Sequence, residues 1–400
     1  MRNSILFPLL FFSVLIAQPS FTAADIATSA DEAFHAVVAD LDGDGDMDIV
    51  SASQADDAIA WYENDGAANP SFTAADIATS ADGAQQVFVA DMDNDGDMDI
   101  VSVSYTDNAL AWYENDGAAN PSFTAADIST SENGPASVFV ADLDNDGDMD
   151  IVIGAYDDHT IAWYENDGAA DPSWSASDVD ASAQEVECVF VADMDNDGDM
   201  DILSASRNDD AIAWYENDGA ADPSWTAADI ATSADGASGV YAADMDNDGD
   251  MDIVSASRHD DTIAWYESDG AADPSWTAAD IATSADGAYY VTVSDLDRDG
   301  DMDIISASVE DDAIAIYINN GAAAPDGRFP ADSFFARLWM KIKIAIDSFF
   351  FYIEFMYGAA YVIAILLLLS GLGLGVGYKV VTGGDGGPGI EFPPDYPEGK

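Results

Sequence analysis

The stretch DLDGDGDMDIV, which begins at Asp40, returns at Asp91, Asp142, Asp193, Asp244 and Asp295, and only its second, fourth and last letters change. Each start lies 51 residues after the one before. A period this strict means that one supersecondary unit is being copied, so the fold must be an array of that unit. Within each copy, five carboxylates occupy nine positions. Charges that close repel one another, so the fold must bring something to them.

The second copy shows what the unit is made of. Between residues 85 and 135 lie four β-type segments, 87–90, 100–104, 109–113 and 123–128, separated by Asp, Asn, Gly and Pro clusters. Four strands in about fifty residues is the blade period of a β-propeller. A β-solenoid is the alternative, although its coils are usually shorter and need caps. Residues 21–26 read as the fourth strand of a unit that lacks its first three. The last unit, beginning near Tyr289, stops before its fourth strand. Joined, the two predict an all-β, six-bladed propeller of four-stranded 51-residue repeats over residues 18–327, with no open sheet edge. Trp61, Trp112, Trp163, Trp214, Trp265 and Ile316 recur at one place in the unit and are expected to pack between neighbouring sheets; sugar stacking is the other reading of the tryptophans.

In the first acidic loop Asp40, Asp42, Asp44 and Asp48 stand at positions 1, 3, 5 and 9, and Gly45 at position 6 allows a sharp turn. Asp46, at position 7, would offer its backbone carbonyl. Hard oxygen ligands at alternate positions suit Ca²⁺ better than Mg²⁺, which holds fewer protein ligands in stricter octahedral geometry. The same five positions are Asp91, Asp93, Asp95, Asp97 and Asp99 in the second loop, and Asp142, Asp144, Asp146, Asp148 and Asp150 in the third. In the fourth they are Asp193, Asp195, Asp197, Asp199 and Asp201, and in the fifth Asp244, Asp246, Asp248, Asp250 and Asp252. The sixth has Asp295, Asp297, Asp299, Asp301 and Asp303. An EF-hand would need Glu at position 12, where the chain has Ser51, Ser102, Ile153, Ser204, Ser255 and Ser306, and helices where it has β-type sequence.

The pattern D-x-D-x-D-G-x-x-D-[IL] at a turn between two strands resembles that of the FG-GAP/VCBS repeat family, which includes the integrin α-subunit propeller. The resemblance covers residues 21–321, although the FG and GAP sequences themselves are absent. It implies a propeller whose loops each bind one Ca²⁺, up to six in all, stapling the first two strands of every blade.

The rest of the chain sets the context. A net charge of −68 excludes nucleic acid as a partner, since the body would repel phosphates. Apolar residues at 48%, in register, argue against the disorder that such charge usually signals. Residues 1–17 read as a signal peptide, with Arg2 before an apolar run. Cys188 is the only cysteine, so no internal disulfide can form. Residues 328–356 read as an aromatic, amphipathic juxtamembrane helix, 357–377 as a transmembrane helix, and 378–400 as a Gly/Pro-rich tail. The expected route is the secretory pathway to the cell surface, as a single-pass protein with the propeller outside. The GLGLGVG run at 371–377 suits close helix packing rather than a nucleotide loop. PPDY at 393–396 resembles a WW-domain ligand.

Two stretches differ freely among the copies. One precedes the first strand and includes Phe34, His35, Tyr289 and Tyr290; the other links the second and third strands and includes Tyr105, Tyr156, Arg207 and Arg258. Both fall at the end of the blade opposite the acidic loop. They form the candidate surface for a protein or glycan ligand. No Ser-His-Asp order, Cys-His pair or zinc spacing points to an enzyme. The chain therefore reads as a calcium-stapled, membrane-anchored surface propeller for adhesion or recognition. The alternative is a structural or assembly subunit that docks its aromatic helix on a membrane-protein partner and carries the propeller as its exterior module.

Overall fold

The computed structural model describes residues 24–321 and two short strands at 379–382 and 388–391. Each 51-residue repeat forms an antiparallel meander. Sheet one is β1 (Ala33–Ala39), β2 (Asp48–Ser53), β3 (Ala58–Asn64) and β4 (Phe72–Ala78). Sheet two is β5 (Ala84–Ala90), β6 (Asp99–Ser104), β7 (Ala109–Asn115) and β8 (Phe123–Ser129). Sheet three is β9 (Pro135–Ala141), β10 (Asp150–Ala155), β11 (Thr160–Asn166) and β12 (Trp174–Asp180). Sheet four is β13 (Val186–Ala192), β14 (Asp201–Ser206), β15 (Ala211–Asn217) and β16 (Trp225–Ala231). Sheet five is β17 (Ala237–Ala243), β18 (Asp252–Ser257), β19 (Thr262–Ser268) and β20 (Trp276–Thr283). Sheet six has three strands among the described residues, β21 (Ala288–Ser294), β22 (Asp303–Ser308) and β23 (Ala313–Tyr317). These are the blades of the all-β, six-bladed propeller class. The chain divides into two compact units, Met1–Asp193 with Gly198–Val240, and Met194–Asp197 with Tyr241–Lys400.

The sequence explains the role of each strand. The second strand is a continuous apolar or small-residue run, and β10, DIVIGA, is buried at every position because both of its faces are covered. The fourth strand is an outer edge: β12 is exposed over four central residues and pairs only with β11. Hairpin turns between second and third strands need a left-handed residue, which Asp57, Asn108 and His159 supply at φ of 56°, 62° and 60°. First strands start earlier than their sequence suggests. The polar opening of β5, Ala84-Gln85-Gln86, pairs with β6 through a bulge between Ala84 and Gln86.

In the first unit Leu143, Val152, Ile161 and Trp163 pack on Val186, Val189, Val191 and Ile202 of the next sheet. In the second, Met245, Val254 and Ile263 pack on Ala288, Val291 and Ile304. The tryptophans at 61, 112, 163 and 214 are buried as expected for packing, and Trp265 is half-buried. Ile316 departs from the expectation. It is 59% exposed, and its neighbour Ile314 is 82% exposed. The expected fourth strand of sheet six also differs: residues 24–28 form no strand, and 21–23 lie outside the described residues.

The signal peptide at 1–17, the helix at 328–356 and the membrane span at 357–377 lie outside the described residues; among those described, no helix is long and apolar enough to cross a membrane. In the Gly/Pro-rich tail, β24 (Lys379–Thr382) pairs antiparallel with β25 (Pro388–Glu391). Valines 380 and 381 favour a strand.

Truncating Trp163, only 3% exposed, should cost about 3–5 kcal/mol in urea unfolding. Thr226→Ala, on the exposed outer strand β16, should stay within about 0.5 kcal/mol of the parent.

Candidate metal and recognition sites

The acidic loop joins the first strand to the second, and its backbone folds around its own carboxylates. In the third loop the Asp142 Oδ2 accepts the Gly147 N–H at 3.1 Å and its Oδ1 the Asp146 N–H at 3.1 Å. Asp144 Oδ1 also accepts the Asp146 N–H, at 3.2 Å, and Asp146 Oδ1 accepts the Asp148 N–H at 2.9 Å. Such a tight coil needs left-handed backbone at Asn145 and at Gly147, where φ reaches 97°. The result converges side chains at positions 1, 3 and 5. One carboxylate oxygen from each of Asp40, Asp42 and Asp44 lies within 4.8 Å of the others. The same holds for Asp142, Asp144 and Asp146, and for Asp244, Asp246 and Asp248. In the second loop the trio is Asp91, Asp93 and Asp99. The fourth loop keeps the bonds from Gly198 N–H to Asp193 and from Asp197 N–H to Asp195, both 3.1 Å. The sixth keeps those from Gly300 N–H to Asp295, 3.2 Å, and from Asp301 N–H to Asp299, 3.0 Å. Position 3 bears part of the electrostatic cost. Burial and then the neighbouring aspartates raise the carboxyl pKa of Asp93, Asp246 and Asp297.

Position 9 has a second role that its spacing does not reveal. Asp150 is 1% exposed; its Oδ2 accepts the Leu143 N–H at 3.2 Å and its Oδ1 the Asn166 N–H at 2.8 Å. One carboxylate thus ties the acidic loop to the end of the third strand. Asp48, Asp99, Asp252 and Asp303 make the same pair of bonds, and Asp201 accepts the Asn217 N–H. Burial lifts the pKa to about 6 for Asp99 and Asp252 and about 7 for Asp150, against the pull of these donors. The indole N–H groups of Trp112, Trp163 and Trp265 lie near enough to oppose the rise but outside hydrogen-bond geometry.

Position 7 faces away from the converged trio. The Asp148 carboxylate lies where a Cβ on Gly168 would overlap it, so the glycine of YENDG is required there. It also accepts the Asn94 amide from the preceding loop at 2.6 Å, as Asp199 does from Asn145 and, in the second unit, Asp301 from Asn247 at 2.9 Å. The asparagine that ends the third strand reaches back in turn: Asn166 Nδ2 donates to the Met92 carbonyl at 2.9 Å. These two asparagines went unnoticed in the sequence reading. Their recurrence in the acidic loop and in YEND was the available clue.

At the opposite end of the meander the variable side chains gather. The Tyr105 and Tyr156 rings sit 6.2 Å apart, and Tyr105 donates to Asp157 at 2.8 Å. Tyr156 donates to Glu185 at 2.8 Å and accepts from Arg207 at 3.1 Å, while Arg207 pairs with Glu187 at 3.5 Å. In the second unit the Arg258 guanidinium lies 6.0 Å from the Tyr289 ring centre. Phe34 and Tyr290 are 43% and 38% exposed. His35 is placed differently. It is half-buried, with Nδ1 shut away from solvent, at a position whose equivalents bond the next sheet: Gln86 accepts the Val138 N–H and Ser137 the Val189 N–H.

The sequence pattern of the FG-GAP-like repeat matches residues 40–102, 96–153, 193–255 and 244–306, together 40–153 and 193–306, more than half the chain. The chain belongs to this family. Its FG-GAP-like repeats coincide with the acidic loop and the strands around it. Among curated proteins, none matches the sequence. Solved structures that are similar include the Vibrio cholerae biofilm matrix protein Bap1, at 16% identity and a TM-score of 0.41 over 66% of this chain. The chain spans 42% of the Bap1 chain. A protein from Lactobacillus plantarum is 16% identical with a TM-score of 0.48, covering 71% of this chain and 80% of that one. A luciferin-regenerating enzyme is 12% identical with a TM-score of 0.40, covering 68% of this chain and 88% of that one.

Asp150→Ala would orphan two buried N–H groups in the third FG-GAP-like repeat, so it should lower stability by about 2–4 kcal/mol even in the presence of a chelator, measured by urea unfolding. Burial lowers the His35 pKa from 6.5 to about 4, with the Val87 backbone opposing. Its unfolded value is higher, so protonation favours the unfolded chain: stability held above about pH 6.5 is lost as pH falls toward 4. His35→Gln should therefore remove up to about 3 kcal/mol of that acid loss, read from the shift of the urea midpoint between neutral pH and pH 4.

Proposed function

We propose that the chain is a calcium-stapled, membrane-anchored surface propeller that recognises a protein or glycan through the end of the blades carrying Tyr105, Tyr156 and Arg207. The observation that carries the metal half is the convergence of carboxylate oxygens at positions 1, 3 and 5 to within 4.8 Å. Two such charges at that distance repel by about 3 kcal/mol at an effective dielectric near 20, and a divalent cation turns the repulsion into attraction. The ligand set is all oxygen and the loop is flexible through its glycine, which suits calcium better than magnesium. Position 9 is the remaining carboxylate of the set, and position 7 would contribute its backbone carbonyl.

The recognition half rests on the string of Tyr105, Tyr156 and Arg207, which crosses three successive sheets at the end away from the acidic loops. Its internal hydrogen bonds hold rings and guanidinium in place before any ligand arrives, which reduces the ordering cost of binding. Tyrosine and arginine are the residues that most often dominate interface energies. The signal peptide, the membrane span and residence at the cell surface belong to the same reading.

Calcium titrated into the chelator-treated protein should release measurable heat and raise the melting temperature. Each site contributes about 2.7 kcal/mol at a hundredfold excess over Kd. An identical melting curve with calcium and with EDTA would overturn the metal assignment. For recognition, the protein is screened on a protein and glycan array. Arg207→Ala with Arg258→Ala should weaken capture of acidic or sulfated ligands at least tenfold while leaving the melting temperature nearly unchanged. Unchanged capture would remove this surface from consideration.

A further inference from the structure

The left-handed residue of each hairpin between second and third strands also accepts a bond from the connection that leads into the next sheet. Asp57 Oδ1 takes the Gly83 N–H and Asn108 Oδ1 the Gly134 N–H, both at 3.0 Å, and Asp210 takes that of Gly236 at 3.0 Å. The third hairpin uses an imidazole instead: His159 Nδ1 accepts the Glu185 N–H at 3.1 Å. In the neutral ring the proton then lies on Nε2.

Residue 185 departs from the repeat as well. Gly83, Gly134 and Gly236 sit at φ of 73°, 65° and 70°; Glu185 holds the same left-handed backbone at 57°, as Glu32 does at 52°. A residue with a Cβ is strained there, so the conformation persists only while its surroundings hold it. Three bonds do so. The Glu185 N–H goes to His159, its carbonyl accepts the Arg207 N–H at 2.9 Å, and its carboxylate accepts the Tyr156 hydroxyl at 2.8 Å. Tyr156 in turn accepts from the Arg207 guanidinium at 3.1 Å. Both residues of the string are therefore fastened at Glu185.

We propose that His159 is a proton-operated latch on this string, a reading that rests on the recognition function proposed above: once Nδ1 is protonated it cannot accept the Glu185 N–H, and Glu185 releases Tyr156 and Arg207 together. Histidine is the side chain whose charge changes between about pH 5 and 8. An aspartate or asparagine at the same place keeps an acceptor oxygen in either state, so the latch is confined to the third hairpin. Asp157 and Asp158 share the turn with His159. On the elements around it stand Glu132 in the preceding connection, Asp180 at the end of β12, Glu185 and Glu187 beyond it, and Arg207 and Asp209 in the next hairpin. Carboxylates outnumber the guanidinium, so an imidazolium finds partners by turning away from the amide. The string is held near neutral pH and loosened in mild acid, which would let a ligand be captured in one and released in the other.

Amide-resolved hydrogen exchange on the full chain in mild detergent, at pH 7.5 and 5.5 and corrected for the intrinsic rates, tests the latch. Protection of the Glu185 and Arg207 amides should fall at least tenfold in acid, whereas the Gly134 amide, bonded to Asn108, should hold. His159→Asn, which installs the acceptor of the preceding hairpin, should keep Glu185 protected at both pH values. Burial lifts the Asp150 carboxyl to about 7, so it titrates in the same interval, but it is present in both proteins and the difference between them reports His159. Equal protection of Glu185 at both pH values in the parent would overturn the proposal, as would an equal fall in His159→Asn, or a fall at Glu185 that leaves Arg207 protected. The protein and glycan array, read at both pH values, separates the latch from recognition. Opened amides with no ligand captured at either pH would keep the latch and remove the recognition reading; capture indifferent to pH, with unmoved amides, would do the reverse.

Discussion

The repeat depends on one buried carboxylate. The aspartate at position 9 is the last residue of the acidic loop and the first of the second strand, and its two oxygens take N–H groups from the start of that loop and from the end of the third strand. Three elements of a blade are therefore fixed by a side chain that water hardly reaches. Burying a charged group costs several kcal/mol unless its hydrogen bonds are made, so the loop and the strand end must both be in place for the carboxylate to be tolerated. That requirement couples the acidic loop to the β-sheet more firmly than a surface turn would be. It also gives the loop a defined shape independent of any cation.

The other aspartates build outward from that anchor. Positions 1, 3 and 5 turn inward and hold the loop backbone, while position 7 turns out and receives the amide of the preceding loop. A nine-residue stretch thus serves the blade, the candidate cation and the neighbouring blade with the same residue type. The division of labour follows from alternation along the coil and from where the glycines permit a left-handed backbone, not from differences in side-chain chemistry.

Much of this was legible because the repeat is an internal comparison. The four strands per unit stood out as β-branched and aromatic runs between Asp, Asn and Gly clusters, and the acidic loop announced itself by spacing alone. What escaped depends on partners distant in sequence. Asp150 looks like any other ligand position until Asn166, sixteen residues on, is seen to donate to it. Ile316 occupies the tryptophan column yet is exposed, which no property of the strand encodes. His35, Gln86 and Ser137 look unconstrained because their types differ. Gln86 and Ser137 reach the next strand through an amide oxygen and a hydroxyl, and His35 lies against the Val87 backbone. Variation among repeats therefore measured loss of a common residue type, not loss of a contact.

The exposed outer strands have a consequence for how such a chain avoids errors in folding. The segment FTAADIATSAD at 72–82 is identical to that at 21–31, and those at 225–235 and 276–286 differ from it only by Trp for the leading Phe, so an outer strand from one of these repeats is chemically competent to complete the sheet of another. Nothing in side-chain shape discriminates against that exchange, in one chain or between chains on crowded ribosomes. Chain connectivity selects the correct sheet, because a short loop keeps each outer strand at high local concentration beside its own third strand. The aspartate near the middle of each outer strand, exposed at Asp76, Asp127 and Asp178, acts as a gatekeeper: two such edges brought together would place like charges side by side. The negative charge of the body would in this sense be a proofreading device for a sequence too repetitive to specify its own pairings by shape.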